Sequence, residues 1–263
     1  MGFDVENHKN LPAKQLCNEI EKVREKNFSK YASLVVCILS HGGEGTVFGT
    51  DGDQVSIEDV KTQFNNFNCH DLIDKPKIWI IQACQGNQLQ EDLEKSIKSS
   101  LTPKKLESRG NFVWLIGLLT HISNYFFNNG VKQEIQRHQV ILQSPDIPRP
   151  SVSDVLDIRA TVPGYVSFRN EETGSTLIRN LCGQLRSAFL KEDGEQSNRH
   201  LEDVLKMVQK SISKEICWLP ATEVDGENKK SVIFRPCHQT IEWRSTLMNF
   251  IRFEKKITGI LLD

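Results

Sequence analysis

The sequence predicts an α/β fold in which a central, mostly parallel sheet lies between layers of helices. Residues 33–39 (SLVVCIL) and 77–82 (KIWIIQ) are uninterrupted apolar runs of strand length. Such runs are typical of strands that are buried on both faces of a parallel sheet. Segments with helical periodicity precede, separate and follow them, so strand and helix alternate along the chain. We therefore expect a three-layer α/β/α architecture.

Each helix is predicted from apolar residues that recur at helical spacing. The segments that show this spacing are 12–26, 56–67, 175–190 and 199–213. The second begins at Ser56, a residue type that caps helix N-termini. Two more strands are expected, one at 158–169 with an interruption at Pro163-Gly164, and one at the alternating pattern of 241–253.

The 263 residues divide into three regions by composition. Residues 1–100 and 158–263 hold the predicted strands and helices. Between them, residues 101–157 contain an apolar block at 112–127 and a segment at 144–157 rich in proline and aspartate. The apolar block is shorter than the roughly 20 residues that a membrane span needs, so we expect a buried or interfacial helix. The segment at 144–157 is predicted to be a linker that is open to proteolysis.

Composition excludes several classes of function. The net charge of −1 does not suggest a nucleic-acid or membrane-surface binder. The N-terminus lacks the apolar core of a secretion signal. The seven cysteines include no CxxC pair and no cluster with zinc spacing, which favours free thiols in a reducing compartment and no metal. We expect a soluble, cytoplasmic protein.

One thiol stands apart from the others because it follows a predicted buried strand. Cys84 lies at the exit of the 77–82 strand, and His41 lies at the exit of the 33–39 strand. Ligands bind at the carboxyl ends of the strands in open α/β sheets. An imidazole near a thiol favours the reactive thiolate. The sequence therefore predicts a Cys84–His41 nucleophile and base, although either residue alone is more often structural.

Glycines beside these two residues suit the same chemistry. A glycine lets a backbone N–H approach a substrate carbonyl closely, as an oxyanion hole requires. The N–H groups of Gly42 and Cys84 are the candidate donors.

The motifs around these residues resemble those of the caspase family. Residues 82–86 (QACQG) match the local signature of caspases, which have a histidine upstream of the cysteine. Further segments that resemble the family are 40–45 (SHGGEG), 49–52 (GTDG), 160–165 (ATVPGY), 167–170 (SFRN) and 245–247 (STL) with Phe253. The resemblance covers most of residues 1–86 and 157–253.

The resemblance implies an enzyme that cleaves proteins after aspartate during programmed cell death. Caspases are cysteine endopeptidases made as zymogens and cut into a large and a small subunit. On this basis residues 1–100 are expected to be large-subunit-like and residues 158–263 small-subunit-like. The chain is expected to be cut in the linker between them, with Asp146, Asp154 and Asp157 as candidate sites. Dimers with a second copy or with another caspase chain are expected through the 241–253 strand. No metal or organic cofactor is implied.

The resemblance also assigns the substrate pocket. Gln82 and Arg169 match the family's glutamine and one of its two arginines, which together hold the substrate aspartate. Ser167 belongs to the same pocket segment, and Val166 and Phe168 match positions that line the neighbouring subsite.

The sequence departs from the family pattern in three places, of which the first leaves an alternative function open. The resemblance starts at the family's second strand, so the first strand and the second pocket arginine have no counterpart in this sequence. Thr176 replaces a tryptophan that many caspases have in an outer subsite. The third departure is residues 101–143, because caspase linkers are usually short and polar and this one carries the apolar block. The alternative is a truncated or inactive caspase-like chain that dimerises with active caspases and regulates them. A basic-specific relative of the same clan is a more remote alternative, since such proteins lack the motif of Arg169.

Overall fold

A four-stranded, mostly parallel sheet forms the centre of the molecule. The computed structural model describes residues 3–91, 150–170, 172–189, 199–224 and 230–251. With strands numbered in chain order, the sheet runs β1 (Leu34–Leu39), β5 (Lys77–Gln82), β8 (Val155–Arg159) and β14 (Glu242–Ser245). β5 is parallel to both β1 and β8, whereas β14 is antiparallel to β8. The two predicted strands at 33–39 and 77–82 are adjacent and parallel, and β5 is buried as predicted. The prediction that the first strand is buried is wrong: Cys37 and Leu39 of β1 are exposed, because β1 lies at an edge of the described sheet.

Shorter ladders surround the central sheet. Their strands are β2 (Gly42–Gly43), β3 (Thr46–Phe48), β4 (Gln54–Ser56), β6 (Gly86–Gln88), β7 (Gln90–Glu91), β9 (Gly164–Tyr165), β10 (Arg169–Asn170), β11 (Gly174–Ser175), β12 (Cys217–Val224) and β13 (Lys230–His238). Strands β2, β3 and β4 form one ladder, and β12, β13 and β7 form another. β6 pairs with β9, and β10 pairs with β11.

The helices predicted at 12–26, 56–67, 175–190 and 199–213 are present in the described part of the chain. They are α1 (Ala13–Arg24), α2 (Ile57–Thr62), α3 (Thr176–Phe189) and α4 (Leu201–Ile212), with a 3₁₀ turn at His70–Leu72. The Ser56 hydroxyl accepts a hydrogen bond from the Asp59 N–H at 3.2 Å, which confirms the N-cap predicted for α2.

The helices cover both faces of the sheet. Along β5, Trp79 and Ile81 pack in a core with residues of α1 and α2, while Ile78 packs in a second core with residues of α3 and α4. Successive side chains of a strand point to opposite faces, so the two cores lie on opposite sides of the sheet. The three-layer α/β/α prediction is confirmed.

The structure differs from the sequence prediction at three strands. β8 begins at Val155, inside the segment 144–157 that was expected to be a linker. β14 ends at Ser245, well short of residue 253. The antiparallel pair β12–β13 was not predicted, because Pro220 and Pro236 interrupt the strand pattern. The apolar block 112–127 lies outside the described residues, among which no helix is both long and apolar enough to cross a membrane.

Candidate active site

Cys84 lies just beyond the carboxyl end of β5, at the edge of the central sheet where the parallel strand β1 also ends. The two strands are in register from Leu34 opposite Lys77 to Leu39 opposite Gln82. Beyond them, the Ser40 N–H donates to the Gln82 carbonyl at 3.1 Å, so the backbones stay together past the last paired residues. His41 and Cys84 therefore emerge at the same edge of the sheet.

Gly42 lies against the backbone of Cys84. A Cβ at Gly42 would lie 2.9 Å from the Cys84 carbonyl oxygen and 2.5 Å from the Thr46 carbonyl oxygen, which are distances that real Cβ atoms do not reach. Glycine is therefore required here by close approach. The oxyanion role of the Gly42 and Cys84 N–H groups stays a prediction.

His41 is exposed, and its main chain is fixed by β3. The His41 carbonyl accepts a hydrogen bond from the Phe48 N–H at 2.9 Å. Within the described part of the chain, no hydrogen bond joins the His41 imidazole to the Cys84 thiol. Catalytic hydrogen bonds are often long before substrate binds, so this geometry keeps His41 as the candidate base.

The Cys84 thiol contacts the segment that the sequence assigns to substrate binding. The Ser167 N–H donates to Cys84 Sγ at 3.4 Å, and the thiol lies 3.8 Å from the Ser167 carbonyl oxygen, its acceptor. Ser167 Oγ also accepts a hydrogen bond from Gln82 Nε2 at 3.0 Å. Three residues predicted separately, Gln82, Cys84 and Ser167, thus form one cluster.

Main-chain hydrogen bonds attach this segment to the loop that follows Cys84. The Gln85 N–H donates to the Tyr165 carbonyl at 2.9 Å, and the Gly164 N–H donates to the Gln85 carbonyl at 2.7 Å. The Val166 N–H donates to the Gln88 carbonyl at 2.9 Å. Residues 84–88, here called the nucleophile loop after its candidate nucleophile, and the start of residues 164–169, here called the substrate segment after its predicted role, therefore form a small parallel ladder.

The other end of the substrate segment depends on one side chain. The Gln239 side chain accepts from the Phe168 N–H at 2.7 Å and donates to the Ala160 carbonyl at 2.8 Å. Gln239 is buried, so these bonds are shielded from water. It joins residue 168 to the strand end beyond β8.

Gln85 holds the nucleophile loop against the glycine-rich loop after β1. Its side chain is 1% exposed. Gln85 Oε1 accepts from the Gly45 N–H at 3.3 Å and from Arg159 Nη1 at 3.1 Å. Gln85 Nε2 donates to the Cys84 carbonyl at 3.2 Å. One amide thus connects both loops of the site to β8.

Arg159 belongs in turn to a buried charge network. Asp157 Oδ2 accepts from Arg159 Nη2 at 3.0 Å and from Lys61 Nζ at 2.8 Å. Arg159 Nη2 also donates to Glu58 Oε1 at 2.9 Å. Asp157 lies on the sheet face covered by α2, which explains how a carboxylate that is 3% exposed is compensated.

Arg169 is exposed in β10, where its backbone pairs with Ser175. Across the described ranges its side chain has no hydrogen bond or ion pair, so its guanidinium is open to a ligand. Thr176, the position that departs from the family pattern, is the first residue of α3 and is buried.

The candidate processing sites fall in different surroundings. Asp154 and Asp157 are both buried. The Asp154 carbonyl accepts from the Lys77 N–H at 2.7 Å, and Asp157 lies within β8. A protease binds an extended, accessible segment, so this burial disfavours cleavage after either residue in the folded chain. Asp146 lies outside the described residues.

Comparison with known proteins decides the family. A model of the caspase domain matches residues 1–242. The chain belongs to the caspase family. It is 28% identical over 186 residues to caspase-3 of Mesocricetus auratus, covering 71% of this chain and 52% of that protein. It is 29% identical over 196 residues to caspase-7 of Gallus gallus, covering 74% and 50%.

The caspase domain confirms the family and fold predicted from the sequence. The chain spans about half the length of the curated relatives that it matches. Within the described ranges, no group of three or more His, Cys, Asp or Glu residues could hold a metal ion.

Sequence reasoning missed Arg159 and Gln239, and it gave Gln85 no role. The sequence signal for Gln85 was its place in the QACQG motif, where it is the one residue that varies within the family signature. Nothing local marks Arg159 or Gln239, since their partners lie far away in the sequence.

Proposed function

We propose that this caspase-family chain is a cysteine endopeptidase that cleaves proteins on the carboxyl side of aspartate. The observation that supports it best is the contact between Cys84 Sγ and the Ser167 N–H at 3.4 Å. It puts a thiol at the carboxyl edge of the sheet directly beside the segment that would bind a peptide.

The proposed chemistry is acyl transfer. The Cys84 thiolate attacks the carbonyl carbon of the substrate aspartate, and the N–H groups of Cys84 and Gly42 stabilise the oxyanion. His41 gives a proton to the leaving amine, and the acyl group stays on Cys84 as a thioester. His41 then takes a proton from water, which attacks the thioester and releases the acid.

The same contact implies a movement. The Ser167 N–H and carbonyl lie 3.4 Å and 3.8 Å from Cys84 Sγ, the atom that the carbonyl carbon of a bound peptide has to approach. Ser167 has to withdraw from the thiol when substrate binds, while its neighbours keep their hydrogen bonds.

Preference for aspartate is supported by Gln82 and Arg169. Gln82 Oε1 is buried and has no hydrogen-bond partner in the described part of the chain, which is costly unless a ligand completes the site. A half-turn of the amide would let Oε1 accept from the Ser167 hydroxyl and would direct Nε2 at a carboxylate. The open guanidinium of Arg169 supplies the matching charge.

The neighbouring subsites follow from smaller features. Val166 and Phe168 are half-buried and would offer apolar surface next to the aspartate pocket. Thr176 offers little surface there, so we propose that the outer subsite selects weakly.

The biological setting is proposed from the family. The chain would be made as a zymogen, cut between its two subunit-like regions at Asp146, and act in programmed cell death in the cytoplasm. Dimerisation would use β14, which lies at an edge of the described sheet.

A pair of fluorogenic peptides tests this function. The peptides end in aspartate or in asparagine, which has the same shape without the charge. We expect the wild-type chain, with its linker cut, to hydrolyse only the aspartate peptide, and Cys84→Ala to hydrolyse neither. Equal rates on both peptides, or activity that survives in Cys84→Ala, would contradict the proposal.

A second candidate function is regulation of other caspases by an inactive chain. It is favoured by the exposed His41 imidazole, which makes no hydrogen bond to the Cys84 thiol within the described residues. If this candidate is right, the chain cleaves neither peptide but changes the rate of an active caspase-3-type enzyme that is mixed with it. Cys84→Ala would then act as well as wild type.

A further inference from the structure

Two cysteines outside the active site face each other across β12 and β13. Cys217 and Cys237 are register partners in this antiparallel pair. Directly opposed residues of antiparallel strands have Cα atoms about 4.5–5.5 Å apart and side chains on the same face. A disulfide needs Cα atoms about 4.4–6.8 Å apart, so the backbone is already in place for one.

The two thiols differ in access. Cys237 is 0% exposed, whereas Cys217 is half-buried and can be reached from solvent. We propose that Cys217 and Cys237 form a dithiol site that small disulfides of the oxidised-glutathione class convert into a cross-strand disulfide. This site is independent of the proposed peptidase function.

The reaction proceeds by two balanced exchanges. Cys217 sulfur attacks oxidised glutathione, forms a mixed disulfide and releases one glutathione thiol that takes up the proton. The buried Cys237 sulfur then attacks the Cys217 sulfur and releases the second glutathione thiol, which takes up the second proton. The protein loses two hydrogens, and one molecule of oxidised glutathione is reduced.

The surroundings of Cys217 set the rate of the first exchange. Burial, Glu215 and Cys237 raise the pKa of the Cys217 thiol to about 11, and Arg179 opposes them. Only the thiolate attacks a disulfide, so the first exchange is slow at neutral pH. As long as the pH stays below that pKa, the rate of the first exchange should rise about tenfold for each unit by which the pH is raised.

The disulfide would tie together strands that support the candidate active site. Cys237 is also the register partner of Glu91 in β7, which closely follows the Cys84 loop. Two residues beyond Cys237, Gln239 accepts the hydrogen bond from the Phe168 N–H. The crosslink therefore fixes the strand from which Gln239 extends.

Peptide mapping after oxidation tests the site directly. The full chain is incubated with oxidised glutathione, alkylated and digested with trypsin, which separates the two cysteines at Lys229 and Lys230. We expect a linked pair of peptides containing Cys217 and Cys237. Cys37→Ser/Cys182→Ser is the matched control, because those two thiols also interact electrostatically; this variant should keep the link.

The single variants give the sharpest contrast. Cys237→Ser should stop at a glutathione adduct on Cys217, whereas Cys217→Ser should leave Cys237 unmodified. A stable glutathione adduct on Cys217 of the wild-type chain, or a link to any other cysteine, would overturn the proposal. So would modification of Cys237 in Cys217→Ser.

Hydrogen exchange gives a second readout that does not require a variant to fold. A disulfide between Cys217 and Cys237 would close a loop of about 20 residues. A loop of that length should slow exchange of the β12–β13 amides by about a hundredfold. Reduction with dithiothreitol should restore the original rates. Unchanged exchange in fully linked protein would show that the strands are not held by this bond.

Discussion

The two backbone segments that meet at Cys84 are held in different ways. The Cys84 loop is fixed by a buried side chain, Gln85, that contacts the Cys84 carbonyl within the loop and two other parts of the chain, at Gly45 and Arg159. The substrate segment is fixed by main-chain bonds at its start and by Gln239 near Phe168. Between those supports, Ser167 contacts the thiol through its backbone and accepts a hydrogen bond from the Gln82 amide through its hydroxyl.

Because of this difference, one region determines the position of Cys84, and the other determines whether a substrate can reach its thiol. The candidate nucleophile is positioned by a network that reaches the sheet through Arg159 and Asp157. Ser167 is held by the thiol and by the Gln82 amide, and it can withdraw while the supports on either side of it stay in place. Changes in the first region should therefore alter the chemical step, and changes in the second should alter binding and thiol accessibility.

The largest effect is expected at the base of the nucleophile network. Asp157→Ala removes the buried carboxylate that pairs with Arg159 and Lys61 and leaves these two largely buried cations with the exposed Glu58 as their shared partner. We expect unfolding in urea to show a loss of about 3–5 kcal/mol. Asp203→Ala, which removes an exposed helical pair with Lys206, is the matched control and should change stability by less than about 0.5 kcal/mol. Equal losses in the two variants would remove the distinction.

Gln85→Ala tests positioning more directly. Without the amide, the Cys84 and Gly45 backbones lose their common partner. We expect kcat to fall about a hundredfold with KM little changed, which is the usual result of displacing a catalytic group by about 1 Å. The control is Gln54→Ala, an exposed residue of β4. A rise in KM at constant kcat would assign Gln85 to substrate binding instead.

Gln239→Ala should have the opposite signature and a smaller effect. It removes the acceptor for the Phe168 N–H and loosens the substrate segment. Losing one such bond costs about 1 kcal/mol, so KM should rise about fivefold. Ser167 should also leave the thiol more often, so iodoacetamide should alkylate Cys84 faster than in wild type. Slower alkylation would mean that Ser167 does not cover the thiol.

The smallest effect concerns the antiparallel pair β12–β13, whose second strand ends just before Gln239. The pKa of Cys217 is about 11 in the fold and lower in the unfolded chain, because burial disfavours its thiolate. The buried neutral thiol therefore contributes to the free energy of unfolding. This contribution is fully present below the ordinary thiol pKa and is lost as the pH rises toward 11. Urea titrations of wild type should lose on the order of 1 kcal/mol over this range. Cys217→Ala should lose less; an identical loss would place the titrating group elsewhere.

Local patterns predicted the parts of the molecule that local interactions determine. The helix over 12–26, the Ser56 cap and the emergence of Cys84 and His41 from adjacent strands follow from periodicity and strand order. The Gln85–Arg159 and Gln239–Phe168 bonds join residues more than seventy positions apart, and no spacing rule reveals such partners. Asp157 was assigned to a linker because a charged residue in a short strand resembles a solvated one until Lys61 and Arg159 are known to surround it.

Covalent labelling of the nucleophile tests the central claim most directly. The chain is treated with a peptide chloromethyl ketone that ends in aspartate, or with its asparagine analogue, and the adduct is located by peptide mapping. The account predicts one adduct, on Cys84, with the aspartate reagent and almost none with the asparagine reagent. Labelling of other cysteines, or equal labelling by both reagents, would contradict the assignment of Cys84, Gln82 and Arg169 to one aspartate-specific site.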